Sequence, residues 1–361
     1  MCTQKNNFGE AFLSKKESIM LQGFAVSLMV WHHLFGFPER VNVPYVLVFD
    51  SLFHIETLAS YFGRICIAVF AFCSGYGMEK KAHASGCTDP HSIWKNYGSS
   101  VRHLLKFFCR FWLVFVTFIP IGFLLGIYLV HPETILKSLL GQSYVYNAEW
   151  WYIGHYIKLM ILFPLVSFVF MWMDSKNKIL THIVVLLGLT FLLFVPQGSP
   201  WSSSFLVFLY FIEGMYFARS AWYELGNKIL KKDWIRLLIG TVLIMVVFLL
   251  RTLGTADYYL VPILVFGFVL LMKNAFAGKY LGNIFLFIGK YSTYIWLTHT
   301  FFAYYYFQNL TYAPRYSWLI AIWCIFLCIA SGVILEKIRT FLSGAAIIQE
   351  PFIRIRTRNR G

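Results

Sequence analysis

Charge is what this 361-residue chain has least of: 13% of it is Asp, Glu, Lys or Arg, where soluble domains carry about 25%. That shortage excludes an ordinary aqueous globule. The 59% hydrophobic content excludes a disordered chain, which needs low hydrophobicity and high charge. Acid is scarcer than base, 16 residues against 31. In a soluble protein that excess would suggest nucleic acid. Here the cations recur between apolar segments instead of forming one stripe, so no nucleic-acid partner is expected. None of the seven cysteines (Cys2, Cys66, Cys73, Cys87, Cys109, Cys324 and Cys328) forms a Cys-x-x-Cys pair, and most sit in apolar runs. Disulfide and zinc frameworks are therefore unsupported, and buried free thiols are expected. No small-residue cleavage site follows the first apolar run, so that run is read as a membrane span and not as a signal peptide.

What the chain does have is long apolar stretches. A membrane helix needs about 20 mostly apolar residues. Ten candidates satisfy this: 18–36, 57–78, 107–130, 150–172, 179–196, 203–218, 236–252, 257–272, 284–307 and 317–336. The expected fold is all-α, a polytopic bundle of about ten transmembrane helices. Residues 1–17 form a cytoplasmic segment, 18–341 the membrane domain and 342–361 a basic cytoplasmic tail. With the N-terminus inside, the inner segments collect 23 cations and the outer ones four: Arg40, Lys137, Arg251 and Arg315. This alternation follows the positive-inside rule and places both termini in the cytoplasm. A multi-pass protein of the cell membrane, with the lipid bilayer as its partner, is the result.

Ionisable residues inside a bilayer are costly, and each is a functional candidate by default. At ~1.5 Å rise per residue, His33 lies ~22 Å from the inner face. Arg64 starts the second span from outside, and Glu149, His155 and Lys158 start the fourth. His299 lies ~22 Å along the ninth span. These residues, with His32, fall in one outer layer crowded by Trp150, Trp151 and Tyr152. On the inner side Arg102, Lys106 and Arg110 repeat at i, i+4 and i+8, which stacks three cations on one helix face. Such a ladder suits phosphate oxygens. Glu213 and Lys290 are read as an inner-half structural ion pair. No second ligand pair joins the adjacent histidines, so no metal or haem is expected.

The ordered motifs resemble the family-three integral membrane acyltransferases, the O-acyltransferases of bacterial glycans. Met20-Leu-Gln-Gly-Phe-Ala-Val-Ser-Leu-Met-Val-Trp-His-His-Leu-Phe35 is similar to that family's opening helix. Phe72-Cys-Ser-Gly-Tyr-Gly77, Glu149-Trp-Trp-Tyr-Ile153, Phe211-Ile-Glu-Gly-Met-Tyr-Phe-Ala-Arg219 and Gly289-Lys-Tyr-Ser-Thr-Tyr-Ile-Trp-Leu-Thr-His299 resemble later segments. Two features depart from the pattern. Gln22 stands where the family has a basic residue about ten positions before its histidine, and the third-span Arg-x-x-Arg is absent.

The resemblance implies transfer of an acyl group, commonly acetyl, from cytoplasmic acetyl-CoA or another acyl-CoA to a hydroxyl of an extracytoplasmic glycan. A hydroxyl needs a base of near-neutral pKa, and histidine is the usual choice. His33 is the candidate base with His32 as its neighbour, or the reverse. Arg64 is the candidate oxyanion donor and Glu149 the carboxylate that orients a histidine. Arg102, Lys106 and Arg110 are assigned to the CoA phosphates. Trp150, Trp151, Tyr152, His155, Lys158 and His299 are assigned to the acceptor. Two other readings stand beside this one: a multi-span transporter, and a catalytically inactive relative for which Gln22 is the motive.

Overall fold

A computed structural model describes residues 13–51, 53–83, 90–176, 183, 187–188, 202–219, 230–255 and 257–342. The described residues are helical, with no strand beyond an isolated bridge between Val46 and Tyr316. The helices are α1 (Lys15–Phe35), α2 (Ile55–Phe62), α3 (Cys66–His83), α4 (Pro90–Leu124), α5 (Pro132–Leu139), α6 (Trp151–Lys176) and α7 (Ser202–Arg219). They continue as α8 (Asp233–Thr252), α9 (Asp257–Lys273), α10 (Ala275–Lys290), α11 (Ser292–Thr300), α12 (Gln308–Tyr312) and α13 (Ser317–Leu342). A π-helical turn, Phe301–Tyr305, extends α11.

Local chemistry sets the boundaries. α1 opens on a capping box, in which Ser14 and Glu17 each accept the other's backbone N–H. α10 opens on Asn274, whose side chain accepts from the Phe276 and Ala277 amides and donates to Asp233. Polar residues hid some of these starts from a reading by hydropathy. α4 begins at Pro90, well before the expected 107, and the expected span 284–307 begins at Ala275 and breaks at Tyr291.

Six helical stretches among the described residues are long and apolar enough to cross a membrane: Lys15–Phe35, Ile55–His83, Ile93–Leu124, Ala148–Asp174, Asp233–Thr252 and Ser317–Leu342. A seventh arises if Tyr259–Lys273 and Ala275–Lys290, bent by 112°, are taken together. Most of the expected span 179–196, and the basic tail, lie outside the described residues.

Two helix pairs form the frame, and both are knit by glycine. A Cβ on Gly23 would stand 2.0 Å from Phe285 O, and one on Gly289 2.0 Å from Ile19 O. α1 and α10 therefore touch backbone to backbone. Likewise Gly75 meets Phe211 O and Gly214 meets Phe72 O, each at 2.0 Å, which locks α3 to α7. Close approach through small residues is how membrane helices associate, because lipid supplies no hydrophobic drive between them. Both pairs run parallel. Glu17 meets Lys273 at one end of the first pair, and His33 meets His299 at the other. In the second, Glu79 and Arg219 meet where both helices end.

That last contact corrects the expected Glu213–Lys290 pair. Lys290 is exposed and Glu213 is buried, with its Oε2 unpartnered. The buried ion network is instead Glu79–Arg219–Asp174, with contacts of 2.5 Å, joining the ends of α3, α7 and α6.

Candidate active site

His33 sits near the C-terminal end of α1, two residues before the helix stops at Gly36, whose N–H donates to His32 O. Adjacent residues on a helix point about 100° apart, so the two histidines meet different neighbours. His32 Nδ1 donates to Ser60 O at 2.8 Å, which ties α1 to α2. His33 Nε2 faces Glu149 Oε2 at 3.5 Å. The structure thus separates their roles, with His32 anchored to backbone and His33 facing a carboxylate.

Glu149 is brought there by a short stretch pinned at several points. Asn147 accepts from the Glu149 amide and donates to Thr300 Oγ1 at 2.7 Å. Trp296 Nε1 donates to Glu149 O, and Trp150 Nε1 donates to Leu297 O. The start of α6 is thereby fastened to α11. The same helix supplies His299, whose ring centroid lies 4.8 Å from that of His33. Tyr304, on the π-helical turn, donates its hydroxyl to His33 O. His33 is 7% exposed and His299 1%, so the imidazoles lie beneath the surface.

Arg40 completes the site, and sequence reasoning missed it. Its Nη1 lies 3.6 Å from Glu149 Oε1, and its guanidinium covers Phe37 at 4.3 Å. The loop that carries it is clamped to the far end of the chain. Gln308 Nε2 donates to Arg40 O and its Oε1 accepts from Asn42 N, while Val46 exchanges backbone bonds with Arg315 and Ser317. Buried Glu56 ties the loop further, accepting from Phe49 N and Ser317 Oγ. A signal for Arg40 was present. It is a cation expected on the outer side, against the charge rule, seven residues after His33.

Other predicted residues make no contact with His33 or Glu149 in this cluster, although Arg64 follows Gly63, which packs on the His32 side chain. Arg64 is exposed. Trp150 is 2% exposed, packed among Phe111, Phe115 and Phe301, so its ring belongs to the core. Trp151 and Tyr152 are half-buried, and Trp151 stacks edgewise on His155. His155 and Lys158 line an apolar groove of about 210 Å³ between α6 and α7. Arg102 and Lys106 are exposed on α4, but Arg110 lies 3.6 Å from Glu336, so the three do not form one open ladder. Gln22 is half-buried on α1, about 16 Å below His33 at the helical rise. No group of three or more metal-ligating side chains occurs among the described residues.

The geometry is that of a carboxylate–imidazole pair beneath a cationic mouth, set in a multi-pass helical membrane protein. Residues 17–337 match the model of a family described as an acyltransferase domain. No curated protein and no solved structure matches the chain. The match spans nearly the whole membrane domain, from the capping box of α1 to the last turns of α13, and the chain belongs to the family-three membrane acyltransferases.

Proposed function

We propose that this acyltransferase moves an acyl group, acetyl in the simplest case, from cytoplasmic acyl-CoA to a hydroxyl of an extracytoplasmic glycan of the cell envelope, and that it works in the cell membrane. The observation that carries the reading is the buried His33–Glu149 contact with Arg40 at its rim. With Glu149 ionised, the neutral His33 ring keeps its proton on Nε2, facing the carboxylate, and Nδ1 carries the lone pair. Nδ1 is then the base for the acceptor hydroxyl, and Glu149 stabilises the imidazolium that forms. A 3.5 Å contact is longer than a mature hydrogen bond; such pairs tighten in the substrate complex. Arg40, on the solvent side, favours the charged form of Glu149. Arg64 is given no step in this proposal.

The donor is assigned to the inner face. Arg102 and Lys106 are the ladder cations exposed there for CoA phosphates, while Arg110 serves the Glu336 contact. Trp151 and Tyr152 are the aromatic rings proposed for a sugar face. No metal takes part in this proposal.

The test is mass spectrometry of cell-envelope glycans from a deletion strain, its parent and a His33→Ala complement. Loss of the acyl mass in both the deletion and the complement supports the reading. Loss in the deletion alone removes His33 from the mechanism, and no difference between parent and deletion removes the glycan acceptor.

A further inference from the structure

Each imidazole at the heart of the site keeps one nitrogen without a partner. His299 Nδ1 lies 2.8 Å from Trp296 O and 3.2 Å from Ile295 O. Only an N–H belongs between two carbonyl oxygens, so neutral His299 carries its proton on Nδ1 and a lone pair on Nε2. That Nε2 is buried and has no partner. His33 shows the complementary pattern, with Nε2 on Glu149 and Nδ1 buried without a partner. The two rings are 4.8 Å apart. The third imidazole differs, since His32 Nδ1 is occupied by Ser60 O. A buried acceptor left unsatisfied is costly and needs an explanation. Here two such unpartnered nitrogens occur on rings whose centroids are neighbours.

We infer that His33 and His299 act as a pair on one proton. This rests on the acyl-transfer reading above. The acceptor O–H gives its proton to His33 Nδ1 as its oxygen bonds to the carbonyl carbon of the acyl thioester. The Nδ1–H of the resulting imidazolium is then shared with His299 Nε2. When the tetrahedral intermediate collapses, the C–S bond breaks and the leaving thiolate takes that proton, so both rings end neutral. His299 reaches this position because α11 passes into the π-helical turn directly behind it; such turns recur at functional sites. The charged and titratable groups around the pair are His32 on α1, Arg40 in the outer loop, Glu149 before α6 and Tyr304 on the π-helical turn. Arg40 and Glu149 offset each other, so the pair gains one charge and two rings carry it.

The experiment uses the full chain in liposomes with acetyl-CoA as probe, reading thiol release together with glycan acylation in cells. His299→Asn keeps an N–H near Nδ1 but leaves nothing at Nε2. His299→Gln puts an amide oxygen near Nε2 that accepts a hydrogen bond but no proton. Both variants are expected to melt like the parent, to lose about 10²-fold in kcat with little change in KM, and to turn a coupled two-group pH–rate profile into a one-group profile. Full activity in either variant overturns the pair: His299→Asn by showing Nε2 idle, His299→Gln by showing that a hydrogen bond suffices. A second readout needs no turnover. Protein labelled with ¹⁵N-histidine, titrated to its singly protonated state, is expected to show one far-downfield N–H proton. That signal should vanish in His33→Asn and His299→Asn alike. Its absence from the parent overturns the pair. A parent that shows the signal but neither releases thiol nor acylates glycan overturns the acyl-transfer reading instead.

Discussion

Glu149 is held before any substrate arrives. Its amide is capped by Asn147, its carbonyl takes the Trp296 indole, and its carboxylate is divided between Arg40 and His33. A side chain fixed this way contributes charge in one place. Glu149→Gln keeps the shape and removes the charge, leaving the His33 tautomer unspecified. The expected outcome is a folded protein with glycan acylation down by about 10²–10⁴, the range seen when a base loses its orienting carboxylate. Arg40→Gln should cost less, because Arg40 is 43% exposed and water screens its effect. Steady-state rates of both variants at matched expression check the order. An unchanged Glu149→Gln enzyme would leave His33 without its partner in the proposal.

A second residue-scale prediction concerns acid. Burial works to raise the Asp50 carboxyl, but the Thr57 amide and hydroxyl and the His54 ring outweigh it and hold the group below the usual carboxylate range. A lowered folded pKa means that the carboxylate favours the folded loop above the unfolded value of about 3.9. That support is lost as pH falls through the folded value. Because α2 also carries Ser60, the anchor of His32, acid should loosen the floor of the site from this side. The protection factor of the Thr57 amide, its exchange rate measured against the intrinsic rate at the same pH, should fall on acidification in the parent, and be low and pH-flat in this range in Asp50→Ala.

At the scale of elements, the sequence disclosed where apolar helices lie but not which way they face. A membrane helix is apolar towards lipid and towards protein, so periodicity says little about its buried side. His33, Glu149 and His299 were legible because ionisable groups stand out within apolar runs. The core position of Trp150 was not legible, since a Trp at a span end looks the same in a core as at an interface. Arg102, Lys106 and Arg110 do share a helical register, but Glu336, which takes Arg110, comes from a helix more than 200 residues away in the chain. The glycine contacts show the same limit. Gly75 and Gly214 sat within quoted motifs, yet only their mutual approach explains them. Gly214→Leu would drive a side chain into the Phe72 carbonyl at 2.0 Å. It should part α3 from α7, destabilising the protein by about 1–3 kcal/mol or more. A lowered melting temperature in detergent checks this, and Gly77→Leu, where a Cβ meets nothing within 4 Å, is the control.

For the whole molecule the question is how many times the chain crosses. Parallel neighbours in one membrane need an odd number of crossings between them. α3 and α7 are parallel, and so are α6 and α7, whose ends meet through Asp174 and Arg219 while Phe163 lies against Phe211 higher up. An odd number of crossings between each pair is what the expected fifth span at 179–196 would supply, and that crossing is the prediction. Arg40 and Tyr144 flank the His33 end, and Lys231 and Lys279 the opposite one. In a cysteine-free background, Glu39→Cys and Tyr144→Cys should react with an impermeant maleimide on intact cells, as both residues are exposed. Lys231→Cys and Lys279→Cys, also at exposed positions, should react only after permeabilisation. Labelling of Lys231→Cys from outside would remove the fifth crossing and reverse every helix up to the next compensating error. If Lys279→Cys then stayed inside, the parallel pairing of α1 with α10, and with it the meeting of His33 and His299, would still hold. If all four positions report the opposite side, the fold stands and only its orientation inverts, which would put the imidazole pair at the cytoplasmic face and exclude an extracytoplasmic glycan as its acceptor.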